Sequence, residues 1–178
     1  MQYEIWGNTT PAVTLRLSRG DSIYTQSGGM TWMTDGIEMQ TNVRGGFMRG
    51  LGRMFSGESL FMATYTCVAA GADITIASTL PGEIRVFRLT PGHDIIAQKG
   101  AFLCAEQSVE IAATIPMRAG AGFFGGEGFV LQRYSGNGLV FCEMDGCIRQ
   151  YDLAPGEVMK VNTGNVAAFE VGVSYSVE

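Results

Sequence analysis

Three side chains able to bind a cation or move a proton recur at one place in this 178-residue chain: Asp21, His93 and Glu157. Each directly follows a glycine (Gly20, Gly92 or Gly156), and His93 is the single histidine. If that place faced a common axis, the three would form a set of hard and borderline ligands on one face. Such a set suits a divalent ion such as iron, manganese or zinc. Against this, a residue following a turn glycine commonly reaches solvent, and nothing visible supplies a second group to orient the imidazole. The expectation is a solvated turn and no metal, with the triad as the alternative.

Other chemistry has less support. A serine or cysteine nucleophile needs a base, and only His93 is present to serve. Glu58 and Glu127 recur within "SGES" and "GGEG" and are of a type that can pair as acid and base, but their equivalence suits a shared turn role better than two divided catalytic ones. "GGFMRGLG" lacks the G-K-[ST] ending of a phosphate loop. The cysteines, Cys67, Cys104, Cys142 and Cys147, include no C-x-x-C pair, so a structural zinc site is not expected. Were Asp145-Gly146 a two-residue hairpin turn, Met144 would face Cys147 and Cys142 would face Arg149. The two thiols would then be diagonal neighbours, poorly placed for a disulfide. All four cysteines are read as small, partly buried hydrophobes, and the ten methionines as adaptable apolar filling. No enzyme activity and no cofactor are expected.

Composition narrows the class. The hydrophobic share of 46% is that of a globular chain, while 25 glycines point to many turns. A net charge of −5, with lysine only at Lys99 and Lys160, opposes a nucleic-acid partner. No apolar run approaches the ~20 residues of a membrane-crossing helix. The opening "MQYEIWGNTT" shows no secretory leader, which gives a cytoplasmic expectation.

The elements that must position these residues are repeated. "LSRGDSIYTQSGGMTW" (17 to 32), "LTPGHDIIAQKGAFLC" (89 to 104) and "LAPGEVMKVNTGNVAA" (153 to 168) align without gaps at shifts of 72 and 64. Leu17, Leu89 and Leu153 lead them. A second glycine recurs at Gly28, Gly100 and Gly164, and a side-chain amide at Gln26, Gln98 and Asn162. Upstream, "PGEIRVFRL" (81 to 89) matches "DGCIRQYDL" (145 to 153), and farther on "GESLFMATYT" (57 to 66) matches "GEGFVLQRYS" (126 to 135). Several copies in register indicate internal duplication. "VTLRL", "IRVFRL" and "IRQYDL" read as strands, and both sets of glycines as turns with positive φ. About 15 short strands suggest sandwich layers or a wound β-helix. Two segments interrupt the pattern, residues 45 to 58 and 116 to 128. In the first, Phe47, Leu51 and Phe55 share one face of a short amphipathic helix. That stripe is read as a lid, or as a contact for a protein or membrane surface. Arg44, Arg49 and Arg53 are too few to make it an RNA-binding segment.

These ordered motifs, "SGGMTWM", "GGFMRGLGRMFSGESLFMATYT", "LPGEIRVFRL", "QKGAFLCAE" and "GGEGFVLQRYSGNGLVF", resemble bacterial relatives of the Aim-type (altered inheritance of mitochondria) mitochondrial biogenesis proteins. The resemblance covers nearly the whole chain. It implies a TRAP-like fold, a short double-stranded β-helix, repeated three times around a pseudo-threefold axis. It brings no activity, substrate or catalytic residue with it. The departure is at "VGVSYSVE", where the third unit stops after its first half, leaving a strand edge to be covered.

The expectation is one all-β domain over 1–178, with repeat 1 at 1–80, repeat 2 at 81–144 and an incomplete repeat 3 at 145–178. Its function is expected to be a non-catalytic homo-oligomeric assembly or interaction module, most simply a trimer or a multiple of one. Its interface would lie near 165 to 178, at Val166, Phe169, Val171 and Val173. The alternative is a small-ligand binder using a crevice between repeats, by fold analogy alone.

Overall fold

The computed structural model describes residues 1–26, 28–42, 62–114 and 131–176. Both interrupting segments lie largely or wholly outside these residues, and with them Phe47, Leu51, Phe55, Glu58 and Glu127. Among the described residues there are fourteen strands and no α-helix. In chain order the strands are β1 (Gln2–Trp6), β2 (Ala12–Ser18), β3 (Ser22–Gln26), β4 (Met30–Met33), β5 (Ile37–Asn42), β6 (Met62–Cys67) and β7 (Gly71–Ala77). They continue as β8 (Gly82–Leu89), β9 (Ile95–Gln98), β10 (Phe102–Glu106), β11 (Val109–Thr114), β12 (Leu131–Gly136), β13 (Gly138–Asp145) and β14 (Ala168–Glu170). The all-β expectation holds.

Every strand pairing is antiparallel, within three sheets ordered β1-β2-β7-β4, β5-β6-β3-β10-β13-β8 and β11-β12-β9-β14. The six-stranded sheet serves two cores. On one side, Ile23, Tyr65, Leu139 and Phe141 join Val13, Leu15, Ile74 and Ile76 of the first sheet. On the other, Tyr24, Phe102, Val140 and Cys142 join Ile95, Ala97, Val109 and Tyr134 of the third. Strand β13 shows why. It is buried from Gly138 to Met144, with Leu139 and Phe141 in one core and Val140, Cys142 and Met144 in the other. Successive side chains point to opposite faces, so a strand between two layers is apolar at nearly every position, Glu143 being the exception in β13. Strand β2 has one buried face only, and its burial alternates over most of its length.

The pairing itself recurs. Ala12↔Ala77 and Leu17↔Ala72 in β2–β7 correspond to Ile84↔Glu143 and Leu89↔Gly138 in β8–β13. Strands β4 and β10 share a register shift, at Met30/Trp32 and Phe102/Cys104. Cys104↔Thr25, Ala105↔Tyr24 and Glu106↔Ile23 in β10–β3 reappear as Ala168↔Ala97, Phe169↔Ile96 and Glu170↔Ile95 in β14–β9.

Two local expectations are corrected. Asp145-Gly146 is no hairpin turn, because β13 ends at Asp145 and the following residues do not fold back onto it; Met144 pairs with Glu83 instead. The segment "IRQYDL" (148 to 153) is no strand either. Its counterpart β8 is held by β13, and no such neighbour flanks 148 to 153 among the described residues. Strands are not stable alone.

Candidate functional site

The turns carrying Asp21, His93 and Glu157 are alike. Gly20, Gly92 and Gly156 have φ of 91°, 87° and 81°, and the backbone N–H of each following residue donates back three positions. Asp21 N bonds Ser18 O at 2.9 Å, His93 N bonds Thr90 O at 2.9 Å, and Glu157 N bonds Ala154 O at 2.9 Å. This is a turn whose third residue needs positive φ, with proline favoured just before it, as at Pro91 and Pro155. The acids close their own turns: Asp21 accepts from Ser18 N at 2.9 Å and Glu157 from Ala154 N at 2.8 Å. His93 and Glu157 are exposed. Among the described residues no three His, Cys, Asp or Glu side chains are grouped to hold a metal, so the structure does not gather the triad. The equal spacing reflects a repeated turn.

The second glycines divide. Gly28 has φ of 86°, whereas Gly100 and Gly164 lie inside short 3-10 turns, Lys99–Ala101 and Thr163–Asn165. Positive φ is needed only at the first of the three. Both of the other recurring amides hold the Thr163–Asn165 turn: Gln98 Nε2 donates to Val166 O at 2.6 Å, and Asn162 Oδ1 accepts from Gly164 N at 3.0 Å.

Two buried carboxylates went unnoticed in the sequence. Asp94 is 5% exposed and is held by the Arg133 guanidinium, whose Nε lies 2.7 Å away. Glu143 is 9% exposed and accepts from Ser78 Oγ at 2.8 Å and Thr79 N at 2.7 Å. A buried carboxylate needs such donors. Both residues tie connections to sheets, since Glu143 holds the link from β7 to β8 while Asp94 O accepts Val171 N at 3.1 Å beyond β14. The repeats give no signal for them, since Asp94 aligns with Ser22 and Glu143 pairs where Ala77 does.

Cys67, Cys104 and Cys142 are buried and Cys147 is exposed; all four thiols are free. The reading as partly buried hydrophobes holds for three. Burial pushes the Cys104 and Cys142 thiols up from their ordinary range, and each is then a poor nucleophile. With a chromogenic disulfide reagent at pH 8, one thiol per chain is expected to react promptly and three only after denaturant is added. Prompt reaction of two or more would contradict this burial.

A cleft of about 340 Å³ opens where β3 meets β10, lined by Asp21 and Ser22 on one side and Glu106, Gln107 and Ser108 on the other. Its two carboxylates are already engaged, Asp21 as above and Glu106 by Leu139 N at 2.8 Å. The other notable surface is edge backbone. Among the described residues strand β14 pairs only with β9 and β4 only with β7. Near these edges Val171 and Val173 are each 39% exposed, Trp32 43% and Met33 36%. Val166 and Phe169 are half-buried, and the Phe169 ring stacks on Tyr175.

Comparison with known proteins now places the chain. The family model described as mitochondrial biogenesis AIM24 matches residues 3–178. The chain belongs to the AIM24 family. An uncharacterized protein of Streptococcus pyogenes serotype M6 is 28% identical over 176 residues, 94% of this chain and 69% of that protein. A crystal structure of a Streptococcus pyogenes protein matches with a TM-score of 0.73 at 25% identity, covering 96% of this chain and 76% of that one. The all-β fold thus has a solved counterpart, and the family likeness read from the motifs stands.

Proposed function

We propose that this AIM24-family protein is a non-catalytic homo-oligomeric assembly module, most simply a trimer or a multiple of one. Its three TRAP-like units, 1–80, 81–144 and 145–178, would stand around a pseudo-threefold axis. The supporting observation is that β4 and β14, among the six edge strands of the described residues, stand where the repeat calls for a further neighbour. Units 1 and 2 are joined by antiparallel pairing of β3 with β10, and β9 with β14 repeats that joint. Exposed edges of this kind are pairing templates unless covered. Light scattering at micromolar concentration is expected to give three chains or a multiple; a monomer would overturn the reading.

A second reading, a small-ligand binder, is favoured by the cleft between β3 and β10, which lies at the crevice between units. Native mass spectrometry separates the two: a retained small molecule supports the binder, a clean oligomer the module. Among the described residues no helix is long and apolar enough to cross a membrane. Free thiols suit a reducing compartment, so we place the protein in the cytoplasm. Phe47, Leu51 and Phe55 remain the proposed contact for a protein or membrane-surface partner. No nucleic acid is proposed, given the charge of −5.

A further inference from the structure

Strand β10 has neighbours on both sides, β13 and β3. Its counterpart β4 has, among the described residues, only the β13-type neighbour, β7. Thr34 N bonds Asp73 O of β7 at 2.9 Å. Because backbone groups alternate sides along a strand, Met33 and Asp35 present theirs to the open side. What belongs there is a strand of the β3 and β9 type. The chain contains a third such sequence, "EVMKVN" (157 to 162), which aligns with β3 and β9 yet belongs to no strand pairing among the described residues. Val158 is 82% exposed, Met159 40% and Val161 46%. Among the described residues one position has no strand, and one strand sequence joins no sheet.

We propose that residues 158–162 of a second copy add to the β4 edge as an antiparallel strand. This inference rests on the homo-oligomer reading and names its joint. The β10–β3 register, carried over by the repeat shifts, sets Trp32 opposite Val161, Met33 opposite Lys160 and Thr34 opposite Met159. The hydrogen bond from Gln107 N to Ser22 O at 3.1 Å, repeated as Val171 N to Asp94 O at 3.1 Å, becomes Asp35 N to Val158 O across the new joint. The occupant is a second copy because among the described residues the two segments do not pair with each other, while Trp32, Met33, Val158, Met159 and Val161 are exposed. Main-chain bonds supply the affinity of such strand addition and the alternate side chains its register. The outward face beside β4 is polar, with Thr14 bonded to Thr75 at 2.8 Å and Arg16 paired with Asp73 at 3.1 Å. In unit 2 the positions of Thr75 and Asp73 hold Phe141 and Leu139, both buried. Thr75 is itself buried and satisfied by Thr14, so the second copy covers the edge alone.

The test is disulfide trapping in a Cys147→Ser background, which removes the exposed thiol. Trp32 and Val161 fall at a non-hydrogen-bonded pair, where Cβ atoms approach closely enough for a disulfide. Both are exposed, so Trp32→Cys and Val161→Cys should fold, with circular dichroism as the check. Mixing the two single variants under mild oxidation is expected to give a linked species of twice the chain mass as the main product. Val158→Cys mixed with Trp32→Cys should give little. A double variant that closes within one chain would overturn the second copy as occupant, and equal trapping at position 158 would overturn the register. No trapping in a protein that light scattering shows to be oligomeric would sink this joint and leave the assembly reading intact. A monomer would sink both.

Discussion

Phe141→Ala is expected to cost about 3–5 kcal/mol of folding stability, a large share of what a domain of this size possesses. Phe141 is fully buried in β13, between Val86 of β8 and Cys104 of β10. Its ring meets Tyr3 of β1 edge-on, with centroids 5.1 Å apart at 85°. Truncation leaves a void in the core shared by the first two sheets, where neighbours from both relax only in part. It also removes an aromatic pair worth ~0.5–1.5 kcal/mol beyond its area. Urea unfolding should show a lower midpoint at unchanged slope. Val158→Ala, at an exposed site, should move stability by no more than ~0.5 kcal/mol. A Phe141→Ala midpoint within the error of the parent would mean that the two layers are not packed as described.

Alkaline pH is expected to destabilise the protein steeply. Burial raises the Cys104 and Cys142 thiols above the ordinary value of 9.0 and the Tyr134 and Tyr65 hydroxyls above 10.0; for Cys104 and Tyr134 the nearby Cys142 adds to it. These groups stay protonated in the folded chain at a pH where the unfolded chain has lost its protons. The unfolded state then binds fewer protons, so stability falls as pH rises. The stability is fully present below pH 9.0, the ordinary thiol value, and its loss begins above it, with the tyrosines joining past 10.0. Each group costs ~1.4 kcal/mol per pH unit in that window, so the two thiols together cost ~3 kcal/mol per unit. Melting temperature should be level from pH 7 to about 8.5 and then drop, and Cys104→Ala with Cys142→Ala should flatten the first part of that drop. A parent curve level to pH 11 would refute the assignment.

The sequence by itself determined the local and the repetitive. Glycine at 20, 92 and 156 sits where a turn requires positive φ, a constraint of four neighbouring residues and hence visible in one line of sequence. Strand character followed from alternation, and the recurrence of whole strands in order was legible as duplication. Only the tertiary structure decided what each repeated position became. Asp21, His93 and Glu157 occupy equivalent turns without converging, because convergence depends on where an axis runs and spacing along the chain does not fix it. Phe141 and Thr75 stand at one position of the repeat, yet one lies between two layers and the other on an outer sheet. The segment "IRQYDL" has the pattern of β8 and does not form a strand, since a strand is completed by its neighbour's hydrogen bonds and not by its own residues. Asp94 and Glu143 look like surface acids until the donors that bury them, Arg133, Ser78 and Thr79, arrive from 39 to 65 residues away. Turn geometry is a short-range steric matter and belongs to the sequence, whereas burial and pairing are long-range and belong to the fold.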